Sequence, residues 1–343
     1  MPVLPNAVTG PPAIVSATST GPASPARAGG PTITSPIAIL LSSHLAEEGR
    51  GRNVLAERAR GPRASLLRLR RGAYVALRDW QALHGDQRHL VRVCASLLTG
   101  GPGRPDAALG HESAAVVHGL PLVGLLPDKV TYVLPDASGT RTTRVTRVLP
   151  VRQDVEVVMV RGVLVTTVAQ TLVDLARRRS LASNLASIDD ALRRGLVTKE
   201  ELVTRIEAQA GCHGNARARR MVALADPRSE SVGESLSRAV MIAARLPPPD
   251  LQVRVIGENG IVVGRVDFMW PDLRVAGEFD GKGKYRRHER GAETAMTDER
   301  LRENHLEVMG RLTVVRWDWD DAYTDQGRGM LMFLRAAGVH ALH

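Results

Sequence analysis

Aromatic side chains, cysteine and long apolar runs are all scarce in this sequence. Phe, Trp and Tyr make up 3% of its 343 residues, which disfavours the aromatic platforms that stack single-stranded nucleic acid. Cys94 and Cys212 are far apart and fit neither a CxxC motif nor a Cys/His pattern, so they suggest neither a disulfide framework nor a zinc site. No run reaches about 18 apolar residues, so we expect no membrane-spanning helix. A reducing cytoplasm is the simplest location.

Common catalytic signatures are absent as well. The sequence contains no nucleophile elbow, no P-loop and no Rossmann fingerprint. The segment Gly257-Glu258-Asn259-Gly260 is typical of a turn and not of a phosphate cradle. Nucleotide-driven and redox chemistry therefore have no support.

Positive charge is present in excess. Lys and Arg number 46 against 36 Asp and Glu, which gives a formal net charge of +10. Such a balance indicates a polyanionic partner, and the scarcity of aromatics favours a nucleic-acid duplex. The alternative is a genome of high GC content, which raises arginine everywhere. A hydrophobic content of 43% allows two or three domain cores in a chain of this length.

Composition and pattern divide the chain into four segments. Residues 1–36 are rich in Pro, Gly and Ser, and we interpret them as a disordered tail or as a translation start placed too far upstream. Residues 37–78 predict a winged-helix-like module, because two helices precede an Arg-rich hairpin. Residues 79–227 predict an α+β region, and residues 228–343 predict a helix, three strands, a helix and a strand. The expected fold class is a multidomain α+β and α/β protein.

The predicted hairpin in the second segment carries three arginines. In a winged helix, one helix enters the major groove while basic hairpin residues meet the phosphates. We therefore predict that Arg68, Arg70 and Arg71 contact double-stranded DNA, with a solvated hairpin as the alternative. The helix that should read the bases, near 53–60, is short, so we expect weak sequence-specific readout.

Acidic residues are prominent in the last third of the chain. Asp267 lies in an apolar strand, and Trp270-Pro271-Asp272-Leu273 predicts a tight connection to the next strand. Glu278 and Asp280 share one face of that next strand, because side chains alternate along a strand. Three carboxylates brought together repel unless a cation lies among them, and a divalent cation with oxygen ligands is the usual solution. The pattern predicts a Mg²⁺ or Mn²⁺ site that hydrolyses phosphodiesters.

Structural ion pairs are the alternative for each of these acids. Asp267 could pair with Arg265 or another arginine, and Glu278 and Asp280 could pair with Lys282 or Lys284. Asp280-Gly281 could also be a glycine turn that only shapes a hairpin. Glu234, on the helix that precedes the strands, could pair with Arg238 one turn later.

The order of elements, with Glu234 on the first helix, Asp267 on the middle strand and Glu278 on the next strand, resembles the PD-(D/E)XK nuclease superfamily. The branch that it resembles most is similar to very-short-patch repair endonucleases and is found as a C-terminal domain in many actinobacterial proteins. The resemblance implies that Asp267 and Glu278 hold magnesium and that Glu234 holds a second metal or orients the attacking water. It also implies that Asp280 assists and that Lys282 stabilises charge.

One position departs from the nuclease pattern. The lysine expected two residues after Glu278 is Asp280, and Lys282 follows two residues later. Either Asp280-Gly281-Lys282 is itself the acid-x-lysine element, or a third acid replaces the lysine and His288 or Arg300 supplies the positive charge.

Three upstream segments resemble AbiEi-type antitoxins of type IV toxin–antitoxin systems: Leu69–Val75, His111–Leu122 and Thr167–Ala176. This resemblance implies operator binding through the N-terminal winged helix and a cognate toxin as a partner. Two functions follow. One is a Mg²⁺-dependent DNA endonuclease, and the other is a non-catalytic antitoxin or transcriptional regulator that keeps a nuclease-like scaffold. A protein-interaction module is a third interpretation, and the sequence leaves the oligomeric state open.

Overall fold

The computed structural model describes residues 33–47, 53–135, 137–151, 154–257, 260–281 and 311–342. These residues divide into two compact units of mixed helix and strand. The N-terminal unit contains residues 33–179 and 197–222, and the C-terminal unit contains residues 180–196 and 223–342. The helix in 180–196 therefore groups with the C-terminal unit, although it lies well before residue 228, where the sequence pattern places the domain boundary.

The N-terminal unit begins with a small antiparallel sheet and two short helices. The elements are β1 (Leu40–Leu41), α1 (Ser42–Glu47), α2 (Val54–Arg58), β2 (Leu66–Arg70) and β3 (Ala73–Ala76), in the sheet order β1-β3-β2. The turn between β2 and β3 contains Gly72 at φ +83°, a conformation that glycine adopts without strain. The predicted helices and hairpin are thus present, and β1 is an additional strand. Whether this arrangement acts as a winged helix stays a prediction.

Two helices and a six-stranded sheet follow in the same unit. The helices are α3 (Leu77–Ala82) and α4 (Gly85–Leu98). The strands of the sheet are β4 (Ala108–Leu109), β5 (Val130–Pro135), β6 (Arg141–Thr142), β7 (Thr146–Val151), β8 (Val157–Val160) and β9 (Val163–Thr166), and their order in the sheet is β6-β7-β5-β4-β9-β8. Helices α5 (His111–His118), α6 (Val168–Arg178), α8 (Lys199–Ala208) and α9 (Asn215–Leu224) belong to the same region. Its core is mostly aliphatic, and the buried Tyr132 is its one aromatic member in the described part of the chain.

The C-terminal unit is built on a four-stranded sheet. Helices α7 (Leu181–Arg193) and α10 (Val232–Ala243) precede strands β10 (Asp250–Ile256), β11 (Val262–Trp270), β12 (Val275–Phe279) and β13 (Thr313–Trp317). The order is β10-β11-β12-β13, antiparallel except for the parallel pair β12–β13. Helices α11 (Trp319–Tyr323) and α12 (Arg328–Ala336) end the described chain. The predicted helix near 294–306 lies outside the described residues.

Aromatic packing fixes the helix-facing side of this sheet. Phe268 and Trp317 stack with ring centroids 5.4 Å apart, and Trp317 Nε1 donates to Ser237 Oγ on α10 at 2.8 Å. A Cβ at Gly277 would lie 2.5 Å from the Trp317 ring, so only glycine allows this close approach. The strands are therefore held at a fixed distance from α10, and α10 carries Glu234.

Candidate functional site

The three arginines predicted on the hairpin do not share one environment. Arg68 and Arg71 are exposed, whereas the Arg70 guanidinium points into the unit. Arg70 Nη1 donates to Ser96 Oγ, and Nη2 donates to the carbonyl of Gly101 at 3.3 Å. Burial lowers the pKa of Arg70 from its ordinary value. Arg70 thus ties the hairpin to the end of α4, and Arg68 and Arg71 are the two that face solvent.

A β-bulge explains this difference. Simple alternation would place positions 68 and 70 on the same face of β2. In the structure Arg68 pairs with Tyr74 and Arg70 pairs with Ala73, so the register shifts by one residue between them. A bulge re-aims the side chains that follow it, and it turns Arg70 toward Ser96.

Four further arginines near the hairpin are exposed and were not singled out from the sequence. They are Arg58, Arg60, Arg63 and Arg78. Within the residues that the structure describes, none of these four, nor Arg68 or Arg71, forms an ion pair with an acid. Exposed guanidinium groups of this kind can bind phosphate oxygens through paired hydrogen bonds. Their clustering within about twenty residues is the sequence signal that marks them.

In the C-terminal unit, Glu234 and Asp267 meet at one side-chain amide. Gln252 Nε2 donates to Glu234 Oε2 at 2.8 Å and lies 3.4 Å from Asp267 Oδ1. The backbone N–H of Glu230 donates to Glu234 Oε2 at 2.9 Å, and that of Phe279 donates to Asp267 Oδ2 at 2.9 Å. The structure therefore brings together two of the predicted acids, one from α10 and one from β11.

Burial and mutual repulsion change the chemistry of this pair. Desolvation, assisted by the charge of Glu234, raises the pKa of Asp267 to about 6, against hydrogen bonds from Phe279 and Gln252 that lower it. Gln252 has a positive φ of 58°, which is uncommon for a residue with a side chain. Its Oε1 is buried without a hydrogen-bond partner within the described chain. Strained residues of this kind occur often at functional sites, and this one was not foreseen from the sequence.

The remaining predicted acids have other surroundings. Glu278 is buried, and its Oε2 accepts a hydrogen bond from Arg316 Nε at 2.9 Å. Asp280 is exposed, and its backbone N–H donates to the carbonyl of Trp317 at 2.9 Å. Lys282, predicted to stabilise charge, lies outside the described residues, as do Lys284, His288 and Arg300.

Two of the arginines considered as alternative partners form ion pairs with other acids, and the alternative partners Lys282 and Lys284 lie outside the described residues. Arg265 makes a bidentate ion pair with Glu230, in which Nη1 donates to Oε1 at 2.8 Å and Nη2 donates to Oε2 at 2.7 Å. Arg238 pairs with Asp189 at 2.8 Å, so it is committed away from Glu234. Within the described residues, Glu278 forms an ion pair with Arg316, which lies 38 residues later in the sequence on the neighbouring strand β13.

The described residues do not by themselves suit a divalent cation. No group of three or more His, Cys, Asp or Glu side chains in the described ranges could hold a metal ion. Glu234 and Asp267 share an amide donor, and Glu278 faces a guanidinium, which competes with a cation for its oxygen. Binding of Mg²⁺ or Mn²⁺ by Asp267, Glu278 and Asp280 therefore stays a prediction.

A buried polar network lies in the N-terminal unit, between α6, α8 and α9. Arg177 Nη1 donates to Gln209 Oε1 at 2.7 Å, and Arg177 Nε donates to Asn215 Oδ1 at 2.9 Å. Gln209 also exchanges hydrogen bonds with the fully buried Gln170. Arg177 further pairs with Asp174 at 3.0 Å. Paired groups of this kind fix how helices pack.

Comparison with known proteins identifies the region that contains this network. Residues 107–224 match the family model of the AbiEi antitoxin C-terminal domain. A protein of Mycobacterium tuberculosis, present in strains CDC 1551 / Oshkosh and H37Rv and described as uncharacterized, is 40% identical over 121 residues. That match covers 35% of this chain and 44% of the relative, so the chain spans less than half the length of the curated relatives it matches. No solved structure matches the chain.

These findings separate the two resemblances. The resemblance to AbiEi antitoxins is confirmed over residues 107–224, which contain His111–Leu122 and Thr167–Ala176, whereas Leu69–Val75 lies outside the match. The comparisons give no support to the resemblance between the C-terminal region and PD-(D/E)XK nucleases. Among the helices in the described part of the chain, none has the length and apolarity to cross a membrane.

Proposed function

We propose that this protein is a DNA-binding regulator of the antitoxin type, with double-stranded DNA and a cognate toxin as its partners. The observation that carries the proposal is the match of residues 107–224 to the AbiEi antitoxin C-terminal domain. The non-catalytic function is thus preferred to the endonuclease.

The DNA-binding surface in this proposal is the exposed arginine cluster of the N-terminal unit. Its members are Arg58, Arg60, Arg63, Arg68, Arg71 and Arg78. Each would neutralise a phosphate and release counterions, so binding should weaken steeply with salt. Arg70 belongs to the support of this surface, since it holds the hairpin against α4. A cytoplasmic location accords with a DNA-binding role.

Fluorescence anisotropy with two labelled duplexes tests the DNA-binding part. One duplex carries the sequence upstream of the protein's own gene, and the other is unrelated. Changing both Arg68 and Arg71 to Ala should weaken DNA binding. It should also reduce the slope of the logarithm of the binding constant against the logarithm of the salt concentration, by an amount that corresponds to up to about two phosphate contacts. The matched control changes Arg219 and Arg220 on α9, which are also exposed. Equal loss in both double variants would contradict the assigned surface.

The antitoxin part needs a separate readout. The neighbouring gene is expressed in a test host with and without this chain, and growth is followed. Rescue of growth by the full chain supports a toxin–antitoxin pair. Absence of any growth defect, or a defect that this chain does not relieve, counts against it while leaving the DNA-binding result unaffected.

One observation favours an endonuclease as a second candidate. Glu234 and Asp267 converge from α10 and β11, and the sheet runs antiparallel until its last, parallel strand. A plasmid-nicking assay with Mg²⁺ and Mn²⁺ tests this candidate. Nicking that Asp267→Ala abolishes, while the exposed Asp272→Ala retains it, would favour the nuclease. Absence of nicking with either metal would rule it out.

A further inference from the structure

The six-stranded sheet has two edges of opposite character. At one edge, β6 is short and exposed and contains Arg141, features by which proteins prevent strand addition. At the other edge, β8 (Val157–Val160) contains neither charge nor proline. Its Val157, Val158 and Met159 side chains are 45%, 41% and 62% exposed. Natural sheets usually avoid an edge strand that is apolar on both faces.

Some backbone N–H and C=O groups of β8 are directed outward, away from β9. Thr167 N donates to Glu156 O at 3.1 Å, where the pairing of β8 with β9 begins. Hydrogen-bonded pairs alternate along antiparallel strands, so Val158, two residues later, also bonds to β9. The N–H and C=O groups of Val157 and Met159 therefore point away from β9. They form a template for one more strand.

We propose that β8 is the contact through which two copies of this chain pair, antiparallel and about a two-fold axis at Val158. In this register, Val157 of one copy lies opposite Met159 of the other. The residues whose backbone groups point outward thus exchange hydrogen bonds with each other. A two-fold arrangement uses the same strand on both copies, as closed dimers require. The two sheets become one continuous sheet.

The charges that flank β8 identify a second copy as the occupant. Asp154 and Glu156 precede the apolar stretch, and Arg161 follows it. Antiparallel self-pairing sets the acidic start of each strand beside the basic end of the other, whereas parallel pairing would place like charges together. Arg205 contacts Glu156 at 2.6 Å and lies 3.4 Å from Asp154, so it balances only part of this acidic end. The strand is complementary to itself.

Sedimentation velocity of the full chain across a wide range of concentration tests the proposal. The wild type should form a dimer in a concentration-dependent way. Val158→Lys places like charges at the axis and should raise the dimer dissociation constant at least about tenfold. Leu125→Lys is the matched control, because Leu125 is 94% exposed in the same unit but lies outside β8. It should leave the dimer unchanged.

A second variant tests the backbone pairing itself. Met159→Pro removes an N–H that points outward and leaves the bonds from β8 to β9 in place. It should weaken the dimer while circular dichroism reports a folded chain. Val158→Cys, with Cys212 changed to Ser, should form a disulfide-linked dimer on mild oxidation, and Leu125→Cys should not. A monomer at every concentration overturns the proposal, as does a dimer that survives both Val158→Lys and Met159→Pro.

Discussion

Arg316 and Glu278 form an ion pair between directly opposed positions of the parallel strands β13 and β12. The Nε–Oε2 distance is 2.9 Å, and the two side chains are 23% and 11% exposed. One partner lies in the segment that predicts a metal site, and the other lies 38 residues later. The carboxylate is therefore balanced by a protein cation in the described structure.

Removing either member of this pair should destabilise the C-terminal unit. Arg316→Met leaves a carboxylate in a mostly buried position, so we expect a loss of roughly 1–3 kcal/mol in the free energy of unfolding. Glu278→Gln should cost a similar amount. Urea denaturation of the single variants and the double variant measures their coupling, and the double variant should lose less than the sum of the two. Strict additivity would show that the pair contributes nothing.

Asp267 should make stability fall as the pH rises through the range from about 4 to 6. Burial raises its pKa to about 6, from the ordinary value of 3.8, so between these two values the folded state keeps a proton that the unfolded state has released. The stabilisation from this proton is complete below the unfolded pKa and is lost as pH approaches the folded pKa. Asp267→Asn should remove this pH dependence and raise the free energy of unfolding at neutral pH by roughly 1–3 kcal/mol.

Urea denaturation at a series of pH values, comparing wild type with Asp267→Asn, isolates this effect. Asp189 is the other buried acid to consider, because burial raises its pKa to about 6 even beside Arg238. It contributes in the same direction in both proteins and cancels in the difference. Parallel stability curves for the two proteins would contradict the raised pKa of Asp267.

Arg70 and Arg68 should differ in what their loss affects. Arg70→Met removes the hydrogen bonds to Ser96 and Gly101, so we expect a loss of roughly 1–3 kcal/mol in the stability of the N-terminal unit. Arg68→Ala, on the exposed side of the bulge, should change stability by less than about 0.5 kcal/mol. Thermal denaturation measures both variants. A large loss for Arg68→Ala and none for Arg70→Met would reverse the assignment.

Local features of the sequence predicted much of this architecture, and long-range contacts account for what they missed. Alternation and turn residues placed Asp267 and Glu278 on neighbouring strands, and the strands are β11 and β12. The tight connection between them is present as a short 3-10 turn at Pro271–Leu273. Arg274, at φ +55°, follows that turn. A positive φ at a residue other than glycine is difficult to predict from sequence, because the pairing of the neighbouring strands imposes it.

Partners that come from distant parts of the chain were not predictable in the same way. Arg316 reaches Glu278 only because β13 lies parallel to β12, and Gln252 reaches Glu234 and Asp267 only from the backbone conformation at φ 58°. The bulge that turns Arg70 inward depends on how β2 pairs with β3. Each of these contacts depends on strand register or on an unusual backbone conformation, and the composition and spacing of a single sequence specify neither.

Gly233 should tolerate no side chain, because α10 and Phe279 approach each other closely there. A Cβ at position 233 would lie 2.0 Å from the Phe279 ring. Gly233→Ala should therefore cost about 1–3 kcal/mol through overpacking, despite the better helix propensity of alanine. Gly85, at the start of α4, has nothing within 4 Å of the same Cβ and no positive φ, so Gly85→Ala should be neutral or stabilise by up to about 1 kcal/mol. Urea denaturation of both variants provides the comparison, and equal stability of the two would show that Phe279 moves aside at little cost.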